Sequence, residues 1–102
     1  MKLVLVVEDH AIVRAGIRRL LDERGDIDVL EVATGEAALA EITSREFDLV
    51  ILDLNLPGLA GLELLRRIVR SAPGLPVLIF SQHTEAIYAT RALETGARGF
   101  VS

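Results

Sequence analysis

The sequence predicts a doubly wound α/β domain, a five-stranded parallel sheet with helices on both faces. Three observations carry that expectation. Three short apolar runs, Leu3–Val7, Leu49–Leu52 and Val77–Phe80, are rich in Val, Ile and Leu and bounded by polar or turn residues. Such runs suit strands buried on both faces of a parallel sheet. Segments with apolar residues at helical spacing lie between them, and the order βαβαβαβαβ asks for parallel strands joined by helical crossovers.

The elements follow in order. After the first strand, Val13, Ile17, Leu20 and Leu21 repeat at helical spacing, and Gly25 stops the helix. Asp28 and Glu31 interrupt the run Ile27–Val32, as in an exposed edge strand. Residues 36–45, with Ala37, Ala38, Ala40 and Ile42, form a second helix, followed by the strand Leu49–Leu52. Leu62, Leu65, Ile68 and Val69 mark a third helix, ended by Pro73 and Gly74 before the strand Val77–Phe80. Residues 85–95 form a fourth, with Ile87, Ala89, Ala92 and Leu93 on its apolar side, and Gly96 closes it. Gly99–Ser102 opens a fifth strand. Crossovers between parallel strands are right-handed. With the flavodoxin-like order 2-1-3-4-5, the first helix then lies alone on one face while the other three share the opposite face. One helix cannot cover five strands, so a last helix is missing from the expected set.

Composition narrows the function classes. The chain has 102 residues, 51% hydrophobic and 25% charged, with a formal charge of −4 and no cysteine. That length suits one domain, residues 1–102, and the apolar content excludes disorder. Without cysteine there is neither a disulfide scaffold nor a thiolate metal site. No apolar run approaches the ~20 residues of a membrane span, and the apolar start is too short for a signal peptide. The expected compartment is the cytoplasm, with no membrane partner. A mildly acidic balance argues against nonspecific nucleic-acid binding. The cations are ten arginines and a single lysine, Lys2. Arg18–Arg19 and Arg66–Arg67–Arg70 have Asp22, Glu23 and Glu63 beside them, as on solvated helix faces.

The chemistry concentrates at strand ends. Ligands of open parallel sheets bind beyond the carboxyl ends of the strands, where strand order reverses. Here that point lies between the first and third strands, which end in Glu8-Asp9 and Asp53. Two unit charges about 4 Å apart repel by ~4 kcal/mol at an effective dielectric near 20, so a bare cluster is unfavourable. A bound cation or a raised pKa resolves the repulsion. An all-oxygen set suits Mg²⁺, which often bridges protein carboxylates and a phosphate. Capping of the first helix accounts for Glu8 or Asp9 but leaves Asp53 unexplained. The turn Glu8-Asp9-His10 lacks the glycines of a phosphate loop, so the site is built for a metal first and a phosphoryl group second. His10 and His83 read as polar surface, because a hard oxygen site does not ask for imidazole.

These residues, together and in order, resemble the receiver domain of bacterial two-component response regulators over the whole chain. Glu8-Asp9 matches the acidic metal pair. Asp53-Leu-Asn-Leu-Pro57-Gly-Leu-Ala-Gly61 follows the family's aspartate, Met-Pro and glycine pattern, with Leu56 in the methionine place. Ser81 matches the Ser/Thr position, and Gly96-Ala97-Arg98-Gly99-Phe100-Val101-Ser102 matches the run before the invariant lysine. Asp9-His10-Ala11-Ile12-Val13-Arg14, Ser81-Gln82-His83 and Ala92-Leu93-Glu94-Thr95-Gly96-Ala97 look like the NarL/FixJ (LuxR-type) subfamily. Its receivers precede a helix-turn-helix DNA-binding domain.

The resemblance implies a phosphorylation-activated switch rather than an enzyme, with at most weak self-catalysed phosphorylation and dephosphorylation. Asp53 would be the phosphoacceptor for a sensor histidine kinase. Asp9, Asp53 and the main-chain carbonyl of Asn55 would hold Mg²⁺ or Mn²⁺, with Glu8 holding a metal water. Ser81 would donate its hydroxyl to a phosphoryl oxygen, with Thr84 capping the following helix instead, and Phe100 would repack as the switch. Asn55 and His83 would tune hydrolysis of the acyl phosphate. The implied output is homodimerisation and transcription control, DNA being reached only through a C-terminal domain absent from this chain. The departure is the lysine, expected immediately after Ser102 and followed by the family's fifth helix. The receiver is therefore expected to be C-terminally incomplete, impaired in phosphoryl transfer and prone to self-association through its uncovered face. A pseudo-receiver scaffold is an alternative that the missing lysine favours and the intact Glu8, Asp9, Asp53 and Ser81 oppose. A haloacid-dehalogenase-type phosphatase would need an aspartate where Asn55 stands. A flavodoxin-like carrier would need a Ser/Thr/Gly phosphate loop and aromatics for the flavin.

Overall fold

Five parallel strands alternate with four helices in the computed structural model, which describes residues 1–55, 61–81 and 86–101. In chain order they are β1 (Lys2–Val7), α1 (Ala11–Asp22), β2 (Ile27–Val32), α2 (Gly35–Ser44) and β3 (Leu49–Leu52). α3 (Gly61–Ser71), β4 (Val77–Phe80), α4 (Ala86–Thr95) and β5 (Gly99–Val101) follow. The sheet order is β2-β1-β3-β4-β5, the predicted doubly wound arrangement. Strands β2, β3 and β4 run over the residues that the apolar runs marked, and β1 begins one residue earlier, at Lys2. Ser102 lies outside the described residues.

Alternation along the strands divides the core in two. Leu5, Val7, Val50, Leu52, Val77 and Ile79 point to the face covered by α2, α3 and α4, where they meet Ala38, Ile42, Leu64, Leu65, Ile68 and Ala92. Val4, Val6 and Ile51 point to the other face, against Ile17 and Leu21 of α1. This is the one-against-three division that right-handed crossovers demand.

Two helices depart from the predicted apolar stripes. On α1 the Ile17–Leu21 line packs on the sheet, no residue is fully buried, and Leu20 is 67% exposed. A lone helix buries a narrow stripe; flanking positions need a neighbouring helix, and among the described residues none lies on that face. On α4, Ala92 is buried while Ile87 and Leu93 are half exposed. Its contact side is built from alanine, whose small side chain lets the helix axis approach and leaves the larger residues at the flanks.

Gly61 joins the fold to the strand ends. A Cβ at Gly61 would clash with the Leu54 carbonyl oxygen and lie 2.6 Å from the Leu54 Cα. Those are backbone atoms, which cannot swing aside, so the first turn of α3 presses on the residue after Asp53. Gly61→Ala is therefore expected to cost about 1–3 kcal/mol despite alanine's better helix propensity. Gly74→Ala, in open space, should cost little. Urea unfolding midpoints of the two variants check this; equal midpoints would contradict it.

Candidate metal centre

Parallel register sets the site. β1 and β3 pair with Val7 opposite Leu52, so the next residues, Glu8 and Asp53, emerge side by side at the carboxyl edge. The Asp53 amide donates to the Val7 carbonyl at 3.0 Å, and the Glu8 amide donates to the Val32 carbonyl at 3.1 Å. Both acids thus continue the sheet's main-chain pairing and are held where the strands point them. Glu8 is 3% exposed and Asp53 7%. Asp9 begins the turn into α1 and is half-buried.

Within the turn after β3, the Asn55 amide donates to Asp53 Oδ1 at 3.0 Å, which fixes the carboxylate. Leu54, between them, points down into the main core. At the other end of the group, His10 Nδ1 lies 2.7 Å from Glu8 Oε1, and the His10 amide donates to the same oxygen at 3.2 Å. One ligand atom from each of Glu8, Asp9, His10 and Asp53 can be chosen so that all four lie within 4.8 Å of one another.

Neither acid caps α1. The N-cap is His10, with no side-chain capping bond. Asp9 Oδ1 is buried and lacks a hydrogen-bond partner. His10 Nδ1 comes within 3.2 Å of it but lies closer to Glu8 Oε1, at 2.7 Å. A buried carboxylate oxygen without a donor has the environment of a cation ligand. A crevice of about 10 Å³ opens at the other two acids, lined by Glu8, Val13, Asp53 and Phe80. That is close to the space one water or small ion needs. The larger groove, about 550 Å³ along α1, is lined by Arg18, Arg19, Asp22, Glu23 and Glu31 and contains none of these strand-end acids. The strand-end donor set fits a hard divalent cation.

Electrostatics agree. The Glu8 carboxyl is pushed up to about 7, first by burial and then by its hydrogen bond with Asp53. The His10 ring is raised above its ordinary value, first by its hydrogen bond to Glu8 and then by the Asp9 charge. Without a cation, the cluster relieves its repulsion by holding protons.

Ser81 follows β4 on the same edge of the sheet. It is 2% exposed, and its amide donates to the Val101 carbonyl at 3.0 Å. Phe100, paired with Ile79 across β4 and β5, is partly buried against the main core and stands apart from the acids. His83 and Thr84 lie outside the described residues, as do Leu56 and Pro57. Sequence reasoning set His10 aside as surface and gave Arg14 no role beyond its place in the subfamily run. Arg14 Nη1 donates to the Glu8 carbonyl at 2.9 Å, while its Nε pairs with Glu31 at 3.3 Å, so α1 and β2 together brace the acidic turn. Arg14 follows His10 by one helical turn, a spacing that could have marked it.

The raised carboxyl fixes a pH dependence. Glu8 rises from 4.5 in the unfolded chain to about 7 in the fold. The stability it contributes is present below pH 4.5 and lost as pH rises through 7, and the raised His10 acts in the same direction. In EDTA, urea midpoints should therefore fall between pH 5 and pH 8, and Glu8→Gln should flatten that fall. An unchanged slope in the variant would contradict the assignment.

Comparison with known proteins yields one family. The profile described as response regulator receiver domain matches residues 4–102. The transcriptional activator protein ExaE of Pseudomonas putida is 42% identical over 100 residues, covering 97% of this chain and 47% of that protein. The chain thus spans about half the length of such relatives. A LuxR-family two-component response regulator from Aurantimonas sp. SI85-9A1 superposes with a TM-score of 0.89 at 36% identity, over 96% of this chain and 71% of that one. The response regulator TrrA of Thermotoga maritima, solved in complex with Mg²⁺-BeF, superposes with a TM-score of 0.88 at 28% identity, over 99% of this chain and 85% of that one.

Proposed function

The chain belongs to the response regulator receiver domain family, and from that membership we propose a phosphorylation-activated switch with Asp53 as its phosphoacceptor. The observation that carries this reading is the buried convergence of Glu8, Asp9 and Asp53 at the point where strand order reverses, with one Asp9 oxygen left without a donor. Asp9, Asp53 and the Asn55 carbonyl would hold Mg²⁺ or Mn²⁺, and Glu8 would hold a water of that ion. When bound, the cation offsets the negative charge that an anionic phosphoryl group brings to an anionic nucleophile.

The residues divide the remaining work. The Asn55 amide orients Asp53 through Oδ1, and a carboxylate oxygen of Asp53 attacks phosphorus. The phosphorus–nitrogen bond of a kinase phosphohistidine breaks as the aspartyl phosphate forms, and the electron pair returns to the imidazole. Ser81 donates its hydroxyl to a phosphoryl oxygen of the modified state. Its main-chain bond to Val101, next to Phe100, gives that movement a direct route into β5. Asn55 and His83 set how fast water removes the group. The partner is a sensor histidine kinase, and the output in a longer protein is homodimerisation and transcription control through a DNA-binding domain. The setting is the cytoplasm. Among the described residues no helix is long and apolar enough to cross a membrane. A dehalogenase-type phosphatase is disfavoured by Asn55, which lacks an acid/base proton.

Incubation with acetyl phosphate and Mg²⁺, followed by intact mass spectrometry, tests the reading. The chain should gain the mass of one phosphoryl group, Asp53→Asn should gain none, and Ser81→Ala should gain it about tenfold or more slowly. An adduct that survives Asp53→Asn would overturn it. So would the absence of any adduct on a form lengthened by the lysine and helix that the family carries next.

A further inference from the structure

We propose that His10 contributes an imidazole nitrogen to this cation site and tunes it toward first-row transition ions over Mg²⁺. The inference rests on the proposed cation site at the acid cluster. Its geometry is specific. Nδ1 lies 2.7 Å from Glu8 Oε1 and 3.2 Å from Asp9 Oδ1. Neighbouring ligands at about 2.1 Å from an octahedral ion sit about 3.0 Å apart, and opposite ligands about 4.2 Å apart. The two distances bracket the first value. The four ligand atoms lie within 4.8 Å of one another, slightly wider than the second. The imidazole nitrogen therefore already stands at ligand spacing to two carboxylates.

The backbone keeps it there. His10 is the N-cap of α1 in extended conformation, and its amide is tied to Glu8 Oε1. The ring contacts both acids while its side chain is 57% exposed, so an ion at the acids meets the Nδ1 edge without any movement of the chain. Mg²⁺ takes oxygen ligands and gains nothing from such a nitrogen, whereas Co²⁺, Ni²⁺ and Zn²⁺ bind imidazole readily. The carboxylates alone serve Mg²⁺; His10 adds affinity only for the transition ions.

Titration of the full chain with Mg²⁺ and with Co²⁺ at one slightly alkaline pH tests this, with Co²⁺ also followed by its visible absorption. In His10→Asn the Co²⁺ affinity should fall about tenfold or more and the Co²⁺ band should shift, while the Mg²⁺ affinity stays within about twofold. His10→Gln should repeat the result, and circular dichroism establishes that both variants fold. Asp9→Asn should weaken both ions. Equal changes for the two ions, or an unshifted Co²⁺ band, would overturn the role of His10 and leave the cation site standing. Failure of the parent chain to bind either ion would overturn both.

Discussion

Everything at the carboxyl edge of this sheet follows from one constraint: two buried carboxylates are forced together by the register of two parallel strands. Val7 pairs with Leu52, so Glu8 and Asp53 have no freedom to separate once β1 and β3 form. Their mutual repulsion, on the order of 4 kcal/mol at 4 Å and an effective dielectric near 20, is imposed by the sheet. The apolar strands behind them hold it in place. Leu5, Val6, Val7, Val50 and Leu52 are fully buried, and any slip of register would break that packing.

The surrounding contacts are responses to that charge. Glu8 rises toward neutrality, His10 leans its ring over the acids, and Arg14 bonds the Glu8 carbonyl. The Asn55 amide satisfies one Asp53 oxygen. Asp9 Oδ1 is left without a donor, so the protein's own groups reduce the strain without removing it. A bound cation would complete what they begin, and a phosphoryl group on Asp53 would then change the charge balance of a site linked through Ser81 to β5. Stored repulsion of this kind suits a switch, because small changes in charge at the edge are felt directly by the strands.

The central strands and the acids were legible in the sequence for the same reason. Strands buried on both faces read as unbroken apolar runs, and Asp53 and Glu8-Asp9 stand immediately after two of them. Topology then brought the acids together. What was not legible depends on detail that no run or spacing encodes. The placement of His10 on Glu8 comes from the conformation of a three-residue turn, and the bracing by Arg14 comes from a side chain reaching back one turn. Leu20, Ile87 and Leu93 match helical spacing yet lie exposed, because periodicity identifies an apolar side but not how much of it a neighbour covers. His83, expected to tune hydrolysis, and Leu56, in the methionine place, lie outside the described residues.

The central claim is that the fold holds Asp53 and Glu8 together against their repulsion and that a cation relieves it. Urea unfolding of the parent chain and of Asp53→Asn, each in EDTA and in saturating Mg²⁺, tests that claim most directly. The amide keeps the shape and the Asn55 bond but removes one charge. The account predicts that Asp53→Asn is the more stable form in EDTA. It also predicts that Mg²⁺ stabilises the parent, by about 2.7 kcal/mol at a hundredfold excess over its Kd, and the variant far less. A variant less stable than the parent in EDTA, with an equal response to Mg²⁺, would contradict it.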